Sequence, residues 1–402
     1  MVMKFVQLIF VLATCVVAIR GDCTVSTNQD LPSPQPLVLN PGLNGGFRYP
    51  VDNSGTLRFS AGEQVRLVCP GSWNKFKNLP DSQRDVTATC VSGRNFRVSG
   101  HTLKFNSFSC TSAPYHTERR SGRTCLGGRT EVEVGFDIRT EFLTLLIACH
   151  DESQSQTIYT KFNLVKEIGG YQKGFPRPRW NQGIFWSDYN MDTQYKRKTQ
   201  QKTIGTVLGS TSLGQKYIHS SDDFFFSRGH NTAKADFVYG AQQTTTFYYV
   251  NTSPQWQVFN GGNWNDLEND VRRYASATRQ DLTVYTGVHG IAQLPNSKGV
   301  LTDLYFYADS SGRREMPIPK FFWKVIYNEK TQLGTAFVGV NNPYLKRVTG
   351  DYYLCDDISS KIGWLTWRPD TVTRGISYSC TIDSLREVVP NIPSFTVKGI
   401  LT

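Results

Sequence analysis

Two short strings hold the residue types that phosphate chemistry needs. They are Ser227-Arg228-Gly229-His230 and Asn260-Gly261-Gly262-Asn263-Trp264-Asn265-Asp266-Leu267-Glu268, with Arg272 one helical turn further on. Asn260 offers an amide oxygen and Glu268 a carboxylate. Magnesium keeps several waters and takes one or two protein oxygens directly, so an amide ligand and a carboxylate reaching a bound water suffice. His230 supplies a base, because an imidazole with an unperturbed pKa of about 6.5 is largely neutral at physiological pH and can take a proton from water. Arg228 and Arg272 carry guanidinium forks that match phosphate oxygens. Cation, base and forks together describe in-line attack of water on a phosphodiester. Taken singly, Asn260 before two glycines also reads as a turn residue, and Glu268 with Arg272 as an i,i+4 surface pair worth roughly 0.2–0.5 kcal/mol. Their joint spacing favours the site.

These residues resemble the DNA/RNA non-specific endonucleases with a ββα-metal site. Bacterial members of that family carry Asp-Arg-Gly-His, then Asn-x-x-Pro-Gln, then Asn-x-Gly-x-Trp-x-x-x-Glu with Arg four residues later. The counterparts here are Arg228-Gly229-His230, Asn251-Thr252-Ser253-Pro254-Gln255, Asn260 to Glu268, and Arg272, with the same internal spacings. The resemblance points to the arthropod secreted branch, which includes digestive and salivary nucleases, and covers roughly residues 136–380. It implies that His230 is the general base, that Asn260 binds magnesium or manganese, and that Glu268, Arg228 and Arg272 organise water and phosphate. It further implies an upstream arginine at the transition state, for which Arg179 before Trp180 is the candidate, and a substrate-side role for Asn251 and Gln255. DNA, RNA or both would be the substrate, and the products would carry 5′-phosphates. One departure stands out: Ser227 occupies the place of the motif aspartate. A lost carboxylate there is expected to disturb Arg228 or His230, which leaves a nucleic-acid-binding protein of the same fold with little turnover as the alternative.

Elements must hold these residues together. The aromatic and β-branched run 246–255 reads as a strand ending at a polar turn. Trp264, Leu267, Val271 and Tyr274 recur at helical spacing, which predicts an amphipathic helix over about 263–277. Extended back to Asn260, such a helix would put Glu268 about 80° around and about 12 Å along the axis. Strict alternation over 131–138 predicts a strand with Val132, Val134, Phe136 and Ile138 on one face. Further strands are predicted at 282–291, 321–327 and 335–340. The fold class is therefore α+β, a mostly antiparallel central sheet carrying the site on a strand with a helix beside it.

The remainder bounds compartment and partners. Residues 1–21 read as a secretory signal, with Lys4 ahead of an apolar run. Secretion is expected, with no membrane span and no obligate protein partner. Eight cysteines follow the signal, an even number that argues for four disulfides. Residues 22–130, with short strand-like runs at 64–68 and 86–90, read as a disulfide-stapled β-rich domain, and 131–402 as the endonuclease domain. Loss of Lys4 and Arg20 with the signal leaves a surplus of nine positive charges, which draws polyanions. The basic stretches 175–180 and 196–198 read as a Pro-stiffened loop and a solvated charge run. Asn251 opens a glycosylation sequon but is expected to stay unmodified, because a glycan would block the groove.

Overall fold

Alternation along 130–138 decides the first strong element: Val132, Val134, Phe136 and Ile138 are all fully buried, as one face of a half-covered strand requires. The computed structural model describes residues 21–80, 82–139 and 141–402, so the expected signal segment lies almost wholly outside the described residues. In chain order the strands that matter are β1 (Thr117–Thr124), β2 (Thr130–Ile138), β3 (Glu141–Asp151) and β4 (Gln156–Leu164). Next come β5 (Phe226–His230) and β6 (Thr252–Trp256), which form a two-stranded antiparallel pair of their own. The last four are β7 (Leu282–Ile291), β8 (Pro319–Asn328), β9 (Leu333–Val340) and β10 (Ser377–Cys380). Apart from β5 and β6 they build one eight-stranded sheet in the order β10-β9-β8-β7-β4-β3-β2-β1, antiparallel at every step.

Both faces of the central strands are covered, which is why β8 reads as a nearly continuous apolar run and β7 buries Thr and Gly among its apolar residues. Val284, Val288, Phe322, Ile326 and Phe337 join Phe226, Trp256, Trp264, Leu267 and Val271 in one core. Tyr285, Phe321, Trp323, Val325 and Val338 join Tyr378, Ile382 and Leu385 in another. The helices used below are α1 (Met191–Gln194), α2 (Arg197–Leu208), α3 (Asn265–Thr278) and α4 (Ile382–Val388). Helix α3 and the β5–β6 pair therefore rest on the first face, α4 on the second. Alternation on β8 puts Lys324 on the α3 face, between Phe322 and Ile326.

Two expectations are corrected, and one helix is found that the sequence pattern does not announce. The run 246–255 is a strand only from Thr252; its first half is turn and 3₁₀ helix, because the Thr244, Thr245 and Thr246 hydroxyls donate back to the carbonyls three residues earlier. The charge run at 196–198 opens α2, whose buried face is carried by Gln200 and Thr203 as well as Ile204 and Val207, so hydrophobic periodicity does not expose it. The sheet also begins before residue 131: β1 lies within 22–130. Its Arg119, Arg120 and Arg123 pair with Glu133, Glu152 and Glu131, and that polarity hides a strand in the sequence.

The four disulfides are Cys23–Cys90, Cys69–Cys110, Cys125–Cys149 and Cys355–Cys380. The first two staple the five-stranded sheet of residues 37–104 and its neighbouring two-stranded pair. The last two belong to the large sheet.

Candidate active site

The β5–β6 pair is pinned at its base by Phe226 against Trp256, ring centroids 4.1 Å apart, and by Gln200 of α2, whose amide both donates to and accepts from the Phe226 backbone at 2.8 Å. Register sets the faces. Arg228 lies opposite Pro254 and His230 opposite Thr252, while Ser227 lies opposite Gln255 and Gly229 opposite Ser253 on the reverse side. Gly229 has no substitute here, since a Cβ would sit 2.5 Å from the Gln255 amide oxygen.

After β6 the chain does not run straight into a regular helix. Asn260–Trp264 forms a widened π turn broken at Gly262, whose ψ of −124° is not helical, and regular α geometry starts at Asn265. A Cβ on Gly262 would meet the Arg374 carbonyl at 2.9 Å. Asn263 clamps the turn from below, donating to the carbonyls of Arg368 and Gly375 at 2.8 and 2.7 Å and accepting from the Arg368 N–H. The ideal-helix geometry drawn from Asn260 to Glu268 therefore does not hold. The two side chains nevertheless line one cleft of about 520 Å³, together with His230, Arg228, Arg272 and Ser227. A larger cleft of about 770 Å³ opens near Arg279 and Asp281, beyond the C-terminal end of α3, and holds none of these residues.

Burial governs the charges. The His230 ring packs between Trp180 and Phe247, centroids at 4.8 and 5.1 Å, and its Nε2 is inaccessible with no partner among the described residues. Desolvation, helped by Arg177 and Lys234, pushes its pKa down to about 3, so the ring is neutral at physiological pH. Glu268 is pushed the other way, up to about 7, first by burial and then by Asp236, against the pull of Lys324, Arg272 and Arg177. Asp236 forms an ion pair with Arg272 at 2.6 Å. Lys324, buried on β8, donates to Thr286 Oγ1 at 2.5 Å, and desolvation holds its pKa below the ordinary value.

The raised Glu268 fixes a sign. A carboxyl whose folded pKa exceeds its unfolded one contributes stability that is full below about 4.5 and is lost as pH rises through about 7. Relative to Glu268→Gln, the metal-free wild type is therefore expected to lose stability between about pH 5 and about pH 8, read by urea unfolding of both proteins. A difference that does not change with pH would mean that Glu268 is not held protonated.

Arg228 is held on several sides. Its Nε donates to the Tyr249 hydroxyl at 2.9 Å and its Nη2 to Asp192 of α1 at 2.8 Å, and that hydroxyl donates to the same carboxylate at 2.6 Å. Tyr195, Tyr249 and Trp180 surround the guanidinium at 4.8, 5.6 and 5.7 Å. One edge of the fork is spent on Tyr249 and Asp192, and the end-on edge remains for a phosphate.

Not every expected residue reaches the cleft. Arg179 is exposed and does not line it; Arg177 does. Asn251 is wholly buried, accepting from the Thr232 N–H and donating to the carbonyls of Thr232 and Thr246, each at 2.9 Å. It pins the chain after His230 instead of meeting substrate, and it leaves no room for a glycan. Gln255 lies buried beneath Gly229, with neither amide atom bonded among the described residues. Sequence reasoning missed Asp192, Asp236, Tyr249 and Lys324. Only Lys324 left a signal, as a lone charge inside an apolar strand.

The donor set suits a hydrated hard cation. Asn260 Oδ1 and the Glu268 carboxylate make no direct hydrogen bond or ion pair among the described residues, and no cluster of three His, Cys, Asp or Glu residues suited to a metal is found there. Amide and carboxylate oxygens beside a half-buried neutral imidazole are what one- or two-point coordination needs.

The sequence profile of the DNA/RNA non-specific endonucleases matches residues 128–385. A salivary endonuclease of Lutzomyia longipalpis is 27% identical over 345 residues, 85% of this chain and 76% of its own length. A salivary endonuclease of Culex quinquefasciatus is 25% identical over 335 residues, 82% of this chain and 79% of its own. Salivary protein Tsal2A of Glossina morsitans morsitans is 23% identical over 393 residues, 95% of either chain.

Proposed function

Because the chain belongs to the DNA/RNA non-specific endonuclease family, whose members hydrolyse phosphodiester bonds with a divalent metal, we propose that it is a secreted, magnesium-dependent nuclease that cuts DNA and RNA alike. One observation carries the reading: His230, Asn260 and Glu268, drawn from a strand, a widened turn and a helix, line the same cleft. Asn260 Oδ1 would hold the cation, with Glu268 oriented toward its waters; when bound, the cation supplies positive charge against the phosphate oxygens. Manganese is the alternative ion.

His230 takes the proton of the attacking water at Nδ1, since Nε2 is inaccessible. Trp180 and Phe247 fix its ring and keep bulk water from it. A depressed pKa makes the base weak in the free protein; an arriving phosphate offsets the smaller part of that depression, the charges of Arg177 and Lys234, while the larger part, burial, remains. Arg228, braced by Asp192 and Tyr249, and Arg272, braced by Asp236, direct guanidinium protons at the phosphate. In-line attack breaks the bond to the 3′ oxygen and leaves a 5′-phosphate. The salivary relatives support secretion, and among the described residues no helix is long and apolar enough to cross a membrane.

Incubating the secreted protein with plasmid DNA and with structured RNA, in magnesium and in chelator, tests the reading on a gel. Metal-dependent degradation of both is expected. A second reading, a binder with little turnover, is favoured by the carboxylates already paired with Arg228 and Arg272. It predicts retardation without cutting in either buffer.

A further inference from the structure

We infer that Ser227 is the positioning residue that turns the Asn260 amide so that its oxygen, not its nitrogen, faces the cation seat. The inference rests on the metal-dependent reading above. Consecutive strand residues point to opposite faces, and β5 puts Ser227 on the side away from Arg228 and His230. Among the described residues the Ser227 hydroxyl bonds neither Arg228 nor His230, although all three line the cleft. Its hydroxyl meets two other groups, the Gln255 backbone carbonyl at 3.0 Å and the Asn260 Nδ2 at 3.1 Å.

Hydrogen-bond direction then decides the amide. A carbonyl oxygen only accepts, so the single Ser227 proton goes to Gln255. What remains on Oγ is lone pairs, which require a donor from Asn260. The relay runs one way, from Asn260 N–H to Ser227 O–H to Gln255 C=O, and Oδ1 is left unbonded on the cleft side. With the amide flipped, Oδ1 would face an oxygen whose proton is already committed. An aspartate at this position would also accept from Nδ2, so serine keeps the orientation while removing a negative charge from beside the cation. The consequence is a correctly aimed ligand in a less anionic seat, which holds the ion more weakly than an acidic one would.

Manganese binding without nucleic acid, followed by the electron paramagnetic resonance signal of the free ion, separates orientation from turnover. Wild type should bind. Ser227→Ala should lose about tenfold to a hundredfold in affinity with its unfolding temperature unchanged. Ser227→Thr, which keeps the hydroxyl, should restore most of the loss, and Ser227→Asp should bind more tightly than wild type. Equal manganese affinity in wild type and Ser227→Ala would overturn the inference alone, as would Ser227→Asp binding more weakly than Ser227→Ala. A wild type that binds no manganese would remove the metal reading as well.

Discussion

Replacing His230 by alanine is expected to lower single-turnover cleavage by about a thousandfold while nucleic-acid affinity, measured in chelator, stays within about threefold. The arginines that would meet phosphate are held by Asp192, Tyr249 and Asp236, none of which depends on the imidazole. The substitution removes proton transfer from the attacking water and leaves the charge that attracts the polyanion. The pH profile adds a second readout. With the free ring's pKa pushed down to about 3, kcat/KM should show no limb at the ordinary histidine value near 6.5. A variant that cuts at the wild-type rate would take His230 out of the base role. A wild-type limb near 6.5 that vanishes in the alanine protein would keep the role but contradict the desolvation that lowers the ring's pKa.

That His230 could be picked out at all reflects how the site is built. Ser227 to His230 lie on one strand, and Asn260, Glu268 and Arg272 lie on one widened turn and its helix. Each group's relative geometry is therefore set by a few adjacent residues and leaves a spacing that can be read. The groups that tune them arrive from elsewhere. Asp236 reaches Arg272 from a 3₁₀ turn, Asp192 reaches Arg228 from a four-residue helix too short for periodicity, and Lys324 arrives from the centre of the sheet. Nothing in local spacing links them to the motif.

The fold divides in the same way. Strand β8, buried on both faces, was legible because burial forces an apolar run. Strand β1 was not, since its arginines satisfy neighbouring carboxylates in place of a core. Helix α2 was not, since Gln200 buries itself through hydrogen bonds to β5. The expected role of Asn251 failed for a related reason. A side chain that looks suited to contact substrate is also suited to satisfy three backbone groups, and here it does the latter.

Arg177 and Arg179 provide the sharper test of how the cleft treats phosphate. Both belong to the segment 175–180, which runs to Trp180, but only Arg177 lines the cleft, with its guanidinium 5.9 Å from the Phe247 ring centre. Its charge is felt at two places at once, lowering the pKa of His230 and of Glu268. A cation that faces both base and carboxylate stands where negative charge accumulates as phosphorus becomes five-coordinate, and removing such a donor costs about a hundredfold or more in rate. Arg177→Ala is therefore expected to lower kcat by about a hundredfold, and Arg179→Ala to stay within about threefold, because an exposed arginine off the cleft contributes only screened attraction to the polyanion. Losing Arg177 should also let the His230 pKa rise, moving the acid limb of kcat/KM upward, a shift that a purely structural defect would not produce. If Arg179→Ala takes the larger loss instead, the bound nucleic acid draws that residue inward and the transition-state role passes to it.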